Sequence, residues 1–429
     1  MSEPKRSRLR GRAMLIGIVG CWALAFAYLL VLAKILPGRE NKNDFSIYYM
    51  SGYMLRHGQN PYTTDFRPLA NRLGLEEGGI ERATDPPTFL LLVEPLSMLT
   101  SYTAYWTWTT INAIALFASI WLLLDRRYGL SGESRILFAG LGVMNPIVIN
   151  HFYWGQNKVQ VLLMLVLTMR WLEDRRDREA GLMLALSGLM RVFPLLLVVY
   201  LVELRRWRAL RYTVLGLAVG ALLTAAMIGF RTTISFVEGF KVLTASKWLS
   251  FDTNIALSSF VFRGFANQLG TNHKVTIDIA RDVTSSIACV AVIVLSFVAT
   301  VRAARNGDRD SRAFGLWVLT GVVVSPTAWF HYLTLAYIPF FRMAAAAGQG
   351  RANLPAILLA EISFALVWFL CIDGCVMEMG AWLRTFVLSR NNSALAALVS
   401  ESGVLCLMLA YASAWLFAAV EQPPQMVPH

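Results

Sequence analysis

The sequence predicts an all-α polytopic membrane protein, a helical bundle of about 10–12 membrane helices with two large extracytoplasmic loops. Three observations carry this reading. Of 429 residues, 56% are hydrophobic and 15% charged, against roughly 25% charged in a soluble domain; mean hydropathy is +0.52. Apolar runs of about 20 residues, the length that crosses a hydrocarbon core, recur along the chain. Basic residues gather in the short connections between those runs, the pattern of cytoplasmic loops.

Each segment follows in order. Residues 1–13 carry Lys5, Arg6, Arg8, Arg10 and Arg12 and read as a basic cytoplasmic N-terminus. Residues 14–36 run outward; they are too long for a signal-peptide core and lack a small-residue cleavage site, so no cleavable leader is expected. The first outer loop, 37–87, is rich in Tyr, Phe and Leu and is expected to be ordered. Within it, 45–56 reads as an interfacial amphipathic helix. Residues 87–99, after Asp85-Pro86-Pro87, are too short to span and read as re-entrant. Residues 102–124 return to Asp125-Arg126-Arg127, 134–152 go out and 157–172 come back. Residues 180–204 begin and end at basic clusters and read as a broken hairpin around Phe193-Pro194. Residues 212–230 go out, the second outer loop covers 231–282, and 284–301 return. Residues 313–341 form a second interrupted hairpin at Ser325-Pro326; 354–372 and 395–419 close the bundle. The single transmembrane domain is thus 14–419, followed by a cytoplasmic tail at 420–429. The basic loops place both termini inside, in a plasma (bacterial inner) membrane.

The net charge of +12 follows the loops rather than one face, so it reports topology and contact with membrane lipids, not nucleic acid. Cys21, Cys289 and Cys406 lie in spans. Cys371 and Cys375 share a helix face at a spacing poor for a disulfide. No Cys/His spacing suggests a structural metal, and no Gly-rich phosphate loop or dinucleotide fingerprint is present.

Ionisable and polar groups near membrane depth are the candidates for function. Asp44 follows the first span among aromatics, including Tyr48 and Tyr49. Gln156, Asn157 and Lys158 lie in a polar turn between two outer span ends, Arg191 in the first hairpin, Asn254 and Arg263 in the second outer loop, and His331 beyond Ser325-Pro326. Each has a plainer reading: Asp44 as solvated or capping, Gln156 and Asn157 as caps, Arg263 as an interfacial anchor, His331 as a core imidazole. What favours chemistry is that all are expected on one side of the membrane. An acid with cations and aromatics there suits glycosyl transfer from a polyprenyl-phosphate sugar to a lipid or glycan acceptor. The carboxylate takes the acceptor proton, and Arg or Lys receives the phosphate without a metal or other cofactor. A secondary transporter or lipid flippase is the alternative, since broken hairpins and buried polar groups also serve transport.

The ordered stretches Asp44-Phe45 to Tyr48-Tyr49, Gly58 to Tyr62, Pro86-Pro87, Asn145-Pro146 with Gly155-Gln156-Asn157, Arg191 to Pro194, Asn254 to Ser258, and Ser325-Pro326 with Trp329 and His331 resemble glycosyltransferase family 87, of the integral-membrane GT-C class. The resemblance implies a GT-C-type fold and a polyprenyl-phosphate-mannose-dependent α-mannosyltransferase, inverting and metal-independent, with its site on the extracytoplasmic face. It implies Asp44 as catalytic acid/base, His331 as its assistant and the Gly155-Gln156-Asn157 turn near the donor pocket. The family often carries Lys where Arg191 stands. The two cations differ in geometry, which leaves Arg191 a second role, bridging the hairpin to a neighbouring helix.

Overall fold

The computed structural model describes residues 3–76, 80–243, 246–251, 253–266, 274–305, 312–349, 353–370 and 401–419. Cys371, Cys375, the tail 420–429 and residues 395–400 of the expected span 395–419 lie outside the described residues. The described chain is helical, and its one β-type contact is an isolated bridge between Asn254 and Trp329.

In chain order the helices are α1 (Glu3–Ile35), α2 (Asp44–Arg56), α3 (Arg67–Leu73), α4 (Pro87–Val93), α5 (Ser101–Leu123), α6 (Gly132–Val143), α7 (Pro146–Tyr153), α8 (Lys158–Glu173), α9 (Asp177–Met190) and α10 (Leu197–Glu203). Then come α11 (Trp207–Ile228), α12 (Phe230–Ile234), α13 (Phe236–Leu243), α14 (Ser246–Leu249), α15 (Leu257–Ala266), α16 (Lys274–Arg305), α17 (Arg312–Val323), α18 (Tyr337–Gly348), α19 (Leu354–Leu370) and α20 (Ser402–Ala419). Among the described residues, five helices are long and apolar enough to cross a membrane alone, and α6 and α7 reach that length only together, bent by 42° at their junction. The bend has a local cause. Asn145 is extended (ψ 131°) before Pro146, which cannot donate to the preceding turn, and Asn145 Oδ1 accepts from Ile147 N at 3.0 Å to restart the helix.

The two broken segments are broken where proline requires it. Between α9 and α10, Arg191 is extended (φ −150°, ψ 134°) and a 3₁₀ turn covers Phe193–Leu196. After α17, the chain leaves the helix at Ser325-Pro326 and resumes as a 3₁₀ stretch, Phe330–Ala336, leading into α18. Irregular backbone at this depth is tolerated only inside protein, and the 330–336 stretch is buried throughout.

The basic connections meet at one end of the bundle and are laced by ion pairs. Arg127 pairs with Asp174 at 2.7 Å, Arg206 with Asp177 at 2.6 Å and Arg342 with Glu173 at 3.2 Å. The two large loops occupy the opposite end. There the structure departs from the sequence expectation for 45–56. α2 forms, yet it does not lie on the surface as an amphipathic helix; Phe45 to Gly52 are buried. The reason is a close approach: the Cα of Gly52 sits so near the backbone of Glu94 that a Cβ would stand 2.9 Å from it. α4 and the 3₁₀ turn Glu94–Met98 therefore cover α2 and draw it into the core. The second loop in turn rests on the first. Asn60 Nδ2 donates to Ser235 Oγ at 2.9 Å, and Tyr62 packs edge-on against Phe236.

Candidate active site

Asp44 is the first residue of α2, and its neighbour Asn43 caps the helix by accepting from Phe45 N at 3.0 Å. The Asp44 carboxylate is thereby relieved of capping. Its position comes from the turn after α7: Asp44 N donates to Trp154 O at 3.1 Å, Trp108 Nε1 donates to Gly155 O at 2.8 Å, and Phe45 stacks on Trp108 with ring centroids 5.8 Å apart. Gly155 has φ +61°, and a Cβ there would meet the Cβ of Phe45 at 2.9 Å and the Asn43 side chain at 3.3 Å. Gly155→Ala is therefore expected to strain the turn by about 1–3 kcal/mol and push α2 away. Because a shift near 1 Å can cost about a hundredfold in rate, turnover should fall at least tenfold, read by initial rate beside a melting curve.

A continuous polar network runs inward from Asp44. Gln156 Nε2 donates to Asp44 Oδ2. The same amide's Oε1 accepts from Lys158 Nζ at 2.9 Å and from Tyr48 OH at 3.3 Å. Asn157 precedes α8, yet its side chain makes no capping bond; Oδ1 accepts instead from Lys158 Nζ at 3.0 Å and Arg191 Nε at 3.1 Å. Arg191 also donates to Tyr48 OH at 3.0 Å and pairs with Asp85 at 2.5 Å. Asp85 is held by its own backbone, whose carbonyl accepts from Tyr62 OH at 2.6 Å. Lys158 is 1% exposed and lies 4.5 Å from the centroid of Tyr332.

The cations differ in how they are neutralised. Arg191 has Asp85, and Arg263 has Glu401 at 2.5 Å. Lys158 contacts two amide oxygens and an aromatic face, and among the described residues no carboxylate pairs with it. Of the three cations it is the one whose contacts, among the described residues, include no carboxylate. Loss of hydration pushes the Asp44 carboxyl up to about 6, and the charge of Asp85 adds to this, against the opposing pull of Lys158, Arg191 and the Gln156 bond.

The structure thus brings together Asp44, Tyr48, Gln156, Asn157, Lys158 and Arg191. His331 lies in the buried 3₁₀ stretch Phe330–Ala336, which packs against α7 and α8 and carries Tyr332, the ring over which Lys158 sits. Three candidates are engaged elsewhere. Tyr49 OH donates to Leu99 O at 2.9 Å. Asn254 Oδ1 accepts from Ala256 N and Ala328 N, tying the second loop to the 325–332 break. Arg263 clamps that loop through Glu401, Phe251 O and Ser259. Sequence reasoning missed Asp85 and Tyr332. Asp85 was visible as an acid before Pro86-Pro87, but there it served only to mark the start of the re-entrant segment 87–99.

A carboxylate of raised proton affinity, one amide away from an ammonium with no acid partner, is equipped for proton-coupled group transfer. It is set in a bundle of membrane-length helices. The family comparison narrows the class: the model of glycosyltransferase family 87 matches residues 84–326, more than half of the chain. The protein belongs to glycosyltransferase family 87. The matched stretch contains Asp85, Gln156 to Lys158, Arg191, Asn254 and Arg263, whereas Asp44 and His331 lie on either side of it. No curated protein and no solved structure matches the chain.

Proposed function

We propose that this glycosyltransferase moves a sugar, mannose by resemblance, from a polyprenyl phosphate to a lipid or glycan acceptor at the extracytoplasmic face of the plasma membrane. The observation that carries the reading is the Asp44–Gln156–Lys158 bridge: one amide holds a base and a phosphate-seeking cation a few ångströms apart. Asp44 takes the proton of the acceptor hydroxyl as its oxygen bonds to the anomeric carbon. The bond from that carbon to the phosphate oxygen breaks, and the phosphate leaves with the electron pair, received by Lys158. Attack opposite the leaving group inverts the anomeric centre. His331, on the Lys158 side, steadies the phosphate. Arg191, neutralised by Asp85, orients Tyr48 and Asn157 rather than carrying the anion. No metal or cofactor is part of this proposal. Membership of a glycosyltransferase family supports this reading over transport.

The base role has a signed pH dependence. A base with pKa about 6 loses activity as protons fill it, so kcat/KM should fall about tenfold per unit below pH 6 and level off above it. The folded carboxyl lies above its unfolded value of 3.8, so protonation of Asp44 favours the folded state, and this group's contribution weakens as pH rises through 6. Activity lost at pH 5 through Asp44 should therefore return on readjustment to pH 7. The function itself is tested with purified protein and a panel of polyprenyl-phosphate sugars, following donor consumption and acceptor labelling. Turnover of a nucleotide sugar with none of the lipid-linked donors consumed overturns the proposal.

A further inference from the structure

A groove of about 1110 Å³ lies on the outer surface of the bundle, between α1, α5 and α6, apart from the Asp44 network. Its cause is uneven packing. α1 and α6 are in intimate contact, with Trp22 Nε1 donating to Ile136 O at 3.0 Å and the Cys21 sulfur 2.7 Å from a Cβ built on Gly140. α5 meets α6 where Ile120 packs against Gly142 and makes few contacts with it elsewhere. The groove follows α5 from Trp106 to Leu124, a rise of about 27 Å, and its walls are apolar, with Phe117 and Trp121 exposed.

Only the basic end of the groove is charged. It is lined there by Asp125, Arg126 and Arg135, whereas Trp106, Thr109 and Thr110 line the other end. Asp125 is already committed: it accepts from Arg170 at 2.6 Å and from Arg127 N at 3.0 Å. Arg127 takes Asp174 as well. Among the described residues, neither Arg126 nor Arg135 has a carboxylate partner, and Arg135 Nε is enclosed without a hydrogen-bond partner. Two unneutralised guanidinium groups at the mouth of an apolar groove match a phosphate with acyl chains behind it.

We propose that the groove binds an anionic phospholipid from the leaflet at the basic end, its phosphate between Arg126 and Arg135 and its chains along α5. A polyprenyl phosphate fits less well, because its phosphate must reach the opposite end, where Lys158 lies and the groove carries no cation. The proposal rests on the charge of the groove and is independent of the transfer reaction.

The test is native mass spectrometry of the full-length protein released from detergent with phosphatidylglycerol, phosphatidylcholine or polyprenyl phosphate. The expected result is retention of phosphatidylglycerol at least about tenfold tighter than phosphatidylcholine. Arg126→Gln with Arg135→Gln should lower phosphatidylglycerol retention about tenfold while the lipid-free melting temperature stays unchanged. Equal retention of the two phospholipids by the wild type overturns the proposal, as does undiminished phosphatidylglycerol binding in the folded double variant. Polyprenyl phosphate outcompeting phosphatidylglycerol in an arginine-dependent way overturns the choice of occupant. If the double variant does not fold, the wild-type ratio alone decides.

Discussion

Asp44→Asn is expected to lower kcat by about 10²–10⁴-fold, the share of rate that a positioned general base supplies, while leaving the bundle folded. The substitution is close to isosteric, and the new amide oxygen can still accept from Gln156 Nε2, as Oδ2 does now. Asn43 continues to cap α2, and the Asp44 backbone bond to Trp154 is untouched. What disappears is the group able to hold a proton with a pKa about 6. Single-turnover assays at pH 7 separate the chemical step from binding, and size-exclusion profiles with melting curves report the fold. Turnover near that of the wild type would remove Asp44 from the mechanism.

The second large effect is on stability. Asp85 is 3% exposed and is the ion-pair partner of Arg191. Asp85→Ala should destabilise the protein by about 3–5 kcal/mol, because it leaves a guanidinium buried without its countercharge. Here the loss is compounded by Lys158, which bonds the same Asn157 oxygen as Arg191 and would be left with Asp44 as the remaining acid of the network. Replacing both partners with apolar residues, Asp85→Leu with Arg191→Met, removes the stranded charge and should restore most of the stability. It should not restore activity, since Tyr48 and Asn157 lose the donor that holds them. The measurement is a double-mutant cycle of thermal or denaturant unfolding in detergent, with transfer assayed on each variant. An Asp85→Ala protein that melts with the wild type would show the pair to be dispensable.

The parts of the fold legible in the sequence are those that depend on local quantities. Hydrophobic length decides what can cross a bilayer, so the runs at 14–36, 102–124 and 212–230 return as α1, α5 and α11. Proline marks where a helix must stop, so the breaks at Phe193-Pro194 and Ser325-Pro326 lie where they were expected. The candidate site was partly legible for the same reason: Asp44 and the 155–158 turn each stand beside a span end, and charge at such a place is conspicuous. α2 was misjudged because its periodicity describes one apolar face, whereas the cover supplied by residues 87–98 is a non-local contact.

By itself, then, the sequence determined the class of fold, the breaks in it and a set of polar residues worth testing. Only the tertiary structure decided which of them meet and in what charge state. Arg191 is neutralised by Asp85, and Arg263 by Glu401 138 positions away. Asn157 turns from capping α8 to accepting from two cations, and among the described residues Lys158 is left without an acid partner. The physical reason is that an ion pair depends on distances of a few ångströms and on the water excluded around it, and neither is a property of position along a chain.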